Sequence, residues 1–127
     1  MGDAAALVRA VGHSGFGVNV DLLHLYRSGG KVADLEASSD LIHFAQLADG
    51  PLVCPDDPDF EAGRNRTAIG AGELPVRAFL NALPRSVPLS LEVPRDVDIE
   101  AGIPKNERAN IAIAAFKDGV RSELTLC

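Results

Sequence analysis

Apolar positions in this chain come in short blocks rather than in long runs. Three of them stand out, at residues 17–20, 41–45 and 87–91, and each leads into a polar side chain: Asp21, Gln46 and Glu92. His24 follows closely on the first. A short apolar run bounded by turn residues predicts a buried strand of the parallel type. Helical spacing fills the intervals. Residues 4–11 read as a helix stopped by Gly12, and residues 31–36 as a short helical stretch after Ser28-Gly29-Gly30. Residues 73–83 place Leu74, Val76, Phe79, Leu80 and Leu83 on one face before Pro84 ends the pattern. Residues 105–118 read as the last helix, with Gly119 as its expected C-cap. Residues 50–72 are rich in Pro, Gly and charge, with no period; a connection of that length is usually functional or mobile. The tail, residues 120–127, is too short to place.

The predicted order is one helix followed by three strand–helix units, which implies parallel pairing and right-handed crossovers within a single domain, residues 1–127. Three such strands cannot close a barrel, which takes about eight. An open sheet of this kind leaves two edges and apolar helix faces unpaired. The chain is therefore expected to pair with another copy, as a homo-oligomer, or to form part of a larger barrel. In α/β folds, ligands collect at the carboxyl ends of the strands. Three polar groups repeating in that position point to one site built from neighbouring strands.

Composition narrows the function classes. The chain is 127 residues long, 46% hydrophobic and 24% charged, with a net charge of −6. That balance argues against nucleic acid or an anionic membrane surface as a partner, since both call for clustered Lys and Arg. No apolar stretch approaches the roughly 20 residues that span a bilayer, and the acidic start Met1-Gly2-Asp3 lacks the basic segment of a secretory signal. Cys54 and Cys127 belong to no metal-type cluster, so they are expected to be reduced thiols of a cytoplasmic protein.

The candidate chemistry lies in a few residues, each with two readings. Asp21 and His24 are either a site pair at a strand end, with His24 on the following loop, or a turn cap and a surface histidine. Gln46 interrupts an apolar strand; its carbonyl oxygen is either a ligand for a hard cation or satisfied structurally. Glu92, in Leu89-Ser90-Leu91-Glu92-Val93, is costly to bury alone and calls for a partner cation, a metal or an arginine. Arg64-Asn65-Arg66 precedes Gly70-Ala71-Gly72, and an arginine held there over a pocket is either a clamp for a hydroxyl, carboxylate or phosphate or solvated surface. Arg27 has the same two readings, clamp or solvated surface. Asp56, Asp57, Asp59 and Glu61 read as a solvated acidic loop, and His13 and His43 as structural.

Four fragments in order resemble the C-terminal part of the sugar phosphate isomerase/epimerase family, the xylose-isomerase-like TIM barrels. They are the stretch from Val20 through Asp21-Leu22-Leu23-His24 to Gly30 (sixth strand) and Phe44-Ala45-Gln46-Leu47-Ala48-Asp49 (seventh). Arg66-Thr67-Ala68-Ile69-Gly70-Ala71-Gly72 resembles the loop to the seventh helix, and Leu89-Ser90-Leu91-Glu92-Val93 the eighth strand. The resemblance implies a partial (β/α)8 barrel of about three C-terminal units. It also implies a divalent metal, Mn²⁺ or Mg²⁺, held by Asp21, Gln46 and Glu92, with His24 and Arg66 contacting a small polyhydroxylated substrate. Glu92 and His24 would be the catalytic pair, moving a proton next to a metal-bound carbonyl or hydroxyl. Gln in place of His on the seventh strand, with the Arg27-Ser28-Gly29-Gly30 stretch, looks most like the 3-dehydroshikimate dehydratase branch, a lyase alternative. The family's fifth-strand Glu has no counterpart here, so the chain is expected to be incomplete and its own activity impaired. The non-enzymatic alternative is an inactive partial barrel acting by self-association or by joining a complementary barrel half.

Overall fold

The apolar runs pair as expected. In the computed structural model, which describes residues 1–124 with side chains to Gly119, β1 (Val18–Asp21), β2 (Ile42–Leu47) and β3 (Leu89–Leu91) form one parallel sheet in the order β1-β2-β3. Cys127 lies outside the described residues. The register sets Val20 beside Ala45, Asp21 beside Gln46, and Gln46 beside Ser90. Side chains alternate between faces with period two. Val18, Val20, Ala45 and Leu47 are buried under the helices, whereas Asn19 and Phe44, paired in register, remain exposed. The strands are thus covered on one face only, unlike the two-sided burial expected of the apolar runs. Helices lie on one side alone, as on the outer wall of a barrel.

The covering layer follows from local sequence. Helix α1 (Gly2–Val11) ends where Gly12 turns left-handed (φ 62°) and returns its N–H to Val8 O. Helix α2 (Leu22–Arg27) starts at once after β1, with Asp21 as N-cap accepting from the His24 N–H. A 3₁₀ segment (Val32–Leu41) breaks at Ser38, whose φ of −136° is non-helical. Helix α3 (Pro58–Arg64) lies inside the stretch without sequence periodicity. Its signal is Asp57 as N-cap, accepting from Phe60 N, with Pro58 in the first turn. Helix α4 (Val76–Ala82) is shorter than the spacing suggested and buries Phe79 completely against the sheet layer. After β3 come α5 (Asp96–Glu100) and α6 (Lys105–Leu124). Gly119 is not the C-cap of that last helix: α6 runs through it and packs there against Ile69 and Gly70. Among the described residues no helix is long and apolar enough to cross a membrane.

Two buried charges organise the long connection after β2. Asp49, 1% exposed, accepts four backbone N–H groups: Gly50 and Leu74 at Oδ1, Gly70 and Gly72 at Oδ2, at 2.8–3.1 Å. Its backbone also bridges Thr67 in antiparallel fashion. Gly72 must lack a side chain here, since a Cβ would meet Asp49 Oδ1 at 2.3 Å. The second charge is Glu61, which the sequence placed in a solvated acidic loop. It is buried and holds Arg27 in a two-pronged ion pair, Nε–Oε2 2.6 Å and Nη2–Oε1 2.7 Å. A third bond, from Arg27 Nη2 to Pro51 O at 2.8 Å, pins the start of the same connection. The Glu61 hydrogen bonds hold the Arg27 pKa above its usual value. Arg27 is therefore neither a clamp nor solvated surface; it is a structural tie between α2 and α3.

Both hubs predict measurable losses. An amide nitrogen cannot accept, so Asp49→Asn leaves two of the four N–H donors unsatisfied. It should lower unfolding free energy by about 2–4 kcal/mol in urea titration. Arg27→Met strands the Glu61 carboxylate in the interior and should cost about 3–5 kcal/mol in the same titration.

Candidate functional site

The site stands at the carboxyl end of the sheet, where each strand delivers one polar side chain. Asp21 ends β1 and Gln46 lies beside it on β2. Glu92 follows β3 directly, its N–H bonded to Leu47 O at 3.0 Å. Parallel register sets Asp21 beside Gln46, and Glu92, two residues beyond Ser90, meets Gln46 through its side chain. Asp21 is buried, while Gln46 and Glu92 are half-buried, on the face that the helices do not cover.

A cation joins them. The Arg66 side chain, only 2% exposed, reaches in from the loop after α3, and its Nη1 donates to Asp21 Oδ2 at 2.6 Å. Its Nη2 lies 3.2 Å from His24 Nε2 and 3.9 Å from Glu92 Oε1. Its Nε donates to Ala62 O at 2.8 Å. The backbone fixes the base of this side chain as firmly: Arg66 N–H bonds Pro94 O at 2.9 Å, between the Asn65–Arg95 and Asp49–Thr67 bridges. A guanidinium only donates, so His24 Nε2 accepts and the imidazole carries its proton on Nδ1.

The remaining bonds complete a chain. Gln46 Nε2 donates to Glu92 Oε2, and Gln46 Oε1 accepts from Asn19 Nδ2 at 2.7 Å. Asp21 uses its other oxygen, Oδ1, to cap α2 through the His24 N–H at 2.9 Å. Asp21, His24, Gln46, Arg66 and Glu92, the residues marked out in the sequence, thus form one polar network, in which two hydrogen-bonded groups, Asp21–Arg66–His24 and Gln46–Glu92, are joined by the Arg66–Glu92 ion pair at 3.9 Å. Asn19 belongs to it as well, and sequence reasoning missed it. Its signal was available, since it precedes Asp21 by two residues and so shares its face of β1. His24 sits on the first turn of α2 rather than on a loop. Glu92 is less buried than its apolar run suggested, with a side chain 42% exposed. His43 is exposed, with its ring over Gly17, and His13 Nδ1 accepts from Gly15 N at 3.0 Å; neither joins the network.

In donor chemistry the group suits a hard divalent cation: two carboxylates and an amide carbonyl, with an imidazole at the rim. Among the described residues no three His, Cys, Asp or Glu side chains converge tightly enough to hold an ion by themselves. The Gln46 amide carbonyl is a further oxygen in the same group.

Comparison with known proteins bears on the same region. The model of the xylose isomerase-like TIM barrel family matches residues 1–118. Among solved structures, the IolI protein with a bound zinc atom superposes with a TM-score of 0.78 at 20% identity, over 96% of this chain and 44% of that one. A xylose isomerase-like TIM barrel/4-hydroxyphenylpyruvate dioxygenase fusion protein superposes with a TM-score of 0.66 at 31% identity, over 93% of this chain and 18% of that one. The chain thus spans less than half the length of either. No protein of curated function matches the sequence. With its open sheet of three parallel strands as one segment of the barrel wall, the chain belongs to the xylose isomerase-like TIM barrel family.

Proposed function

We propose that this chain contributes part of a divalent-metal-dependent isomerase or epimerase site that acts on small polyhydroxylated compounds of the sugar phosphate type. The observation that carries the reading is the side-by-side delivery of Asp21, Gln46 and Glu92 by three adjacent strand ends, on the uncovered face of the sheet. Asp21 and Glu92 would hold the ion through carboxylate oxygen and Gln46 through Oε1. Mn²⁺ or Mg²⁺ suits such oxygen donors; the zinc atom of the IolI structure supports a divalent ion in general.

Bound there, the ion would polarise a carbonyl and its neighbouring hydroxyl, making the adjacent C–H more acidic. The chain's own groups supply the rest. Glu92, the most exposed of the carboxylates in the network, is positioned to take or return a proton at the open face. His24 Nε2, a hydrogen-bond acceptor in the network, can orient a substrate hydroxyl. Arg66, anchored through Nε to Ala62 O, has terminal N–H groups that can donate to a substrate oxygen. Elimination of water by the same proton abstraction is the dehydratase variant of this reading. It is supported by Gln46 on the middle strand, and formation of a catechol-type product from 3-dehydroshikimate would identify it.

A second, non-enzymatic reading is favoured by two features of the sheet. Phe44 is 37% exposed on the uncovered face, and β1 has no partner beyond β2 among the described residues. A partial barrel acting through self-association, or through a complementary barrel half, would cover both. Static light scattering distinguishes it: a dimer or larger species is expected, and a folded monomer at all concentrations would count against it.

For the metal reading, calorimetric titration with Mn²⁺ is the direct check. Glu92→Gln should weaken binding by about 10–100-fold, the range seen when a supporting group of a metal site is lost. Equal affinity in the two proteins would take Glu92 out of the site.

A further inference from the structure

We propose that the Arg66 guanidinium competes with the divalent ion for the two carboxylates at the strand ends, so that metal entry requires Arg66 to leave Asp21. The inference rests on the metal-dependent reading and adds to it a built-in antagonist.

Two independent features of the structure lead there. The first is charge. Asp21 and Glu92 are two anions, and Arg66 reaches toward both, at 2.6 Å and 3.9 Å. Being only 2% exposed, the guanidinium has little water to screen it. A divalent ion placed among the same oxygens would stand a few ångströms from a fixed positive charge, and that repulsion is strong in a partly dry site. With Arg66 withdrawn, two carboxylates would balance one divalent ion.

The second feature is the direction of the Gln46 amide. Its Nε2 points at Glu92, and its Oε1 points away, at Asn19 Nδ2. A ligand amide must turn its oxygen to the cation. As it stands, Arg66 and Gln46 both present N–H donors to the carboxylates. Turning the Gln46 amide would place its NH₂ against the Asn19 NH₂, so Asn19 must turn with it and accept through its own carbonyl. Metal entry therefore couples three movements: Arg66 off Asp21, Gln46 over, Asn19 over. Each moving group is a side chain, and the backbone bonds that hold Arg66 N–H to Pro94 can stay in place. His24, which accepts from the same guanidinium, would be released for substrate.

The test uses the full chain and Mn²⁺ alone, followed by calorimetry. Arg66→Met removes the charge and keeps an unbranched apolar stem. It should bind Mn²⁺ more tightly than the wild type by about tenfold or more, a modest share of the repulsion expected between such charges. Arg66→Lys, which keeps the charge, should stay close to the wild type. Equal affinity in Arg66→Met and wild type overturns the competition while leaving the metal site standing. Weaker binding in Arg66→Met overturns it too, by showing that the arginine supports the metal. Absence of Mn²⁺ binding in both proteins removes the metal-dependent reading and the competition together. Should Arg66→Met fail to fold, the wild type decides by NMR with Zn²⁺. The Arg66 Nε–H and the Gln46 and Asn19 side-chain amide signals should all shift as zinc binds, and zinc binding that leaves them unmoved overturns the proposal.

Discussion

The ion pair between Asp21 and Arg66 is the constraint around which the carboxyl end of this sheet is arranged. Both side chains are withdrawn from water, and each would be costly to bury alone. Asp21 ends β1 and caps α2, so its position is set by the sheet and by the helix together. Arg66 comes from a loop with no regular structure of its own, and it can reach Asp21 only if that loop is held. The Asp49 carboxylate does the holding by gathering four backbone N–H groups, three of them on glycines. One buried charge pair at the site thus depends on a second buried charge beneath it, and the Arg27–Glu61 pair secures the other end of the same connection.

This dependence explains why a long, Pro- and Gly-rich connection can serve a precise site. Its order comes from carboxylates and guanidinium groups that must find partners once covered, rather than from helical or strand periodicity. The left-out side chain that matters most, at Gly72, marks where backbone approaches the Asp49 carboxylate. The same logic ties function to stability. A substitution that loosens Asp49 displaces Arg66, and with it the balance of charge between Asp21 and Glu92.

Much of this was legible in the sequence, because the strands and the strand-end residues obey simple period rules. The parallel sheet, its order and the joining of Asp21, Gln46 and Glu92 follow from three apolar runs with polar ends. His24 and Arg66 were also visible, but not their mutual contact, which depends on how the loop folds back. What escaped were the groups whose meaning is tertiary. Glu61 looks like its acidic neighbours until Arg27 is brought to it from 34 positions away. Asp49 looks like a strand-end carboxylate until its oxygens are seen filled by backbone donors, and that leaves it no part in ligand chemistry. Gly119 has the sequence of a helix stop and the environment of a packing contact. Helix α3 carried a local signal in Asp57-Pro58, masked by the irregular composition around it.

The central claim is that Asp21 and Arg66 act as one buried unit. A double-mutant cycle on stability, with Asp21→Asn and Arg66→Met alone and together, measures that directly. A coupling energy of about 2–3 kcal/mol is expected for a pair so shielded from water. Losses that simply add, to within about 0.5 kcal/mol, would contradict it.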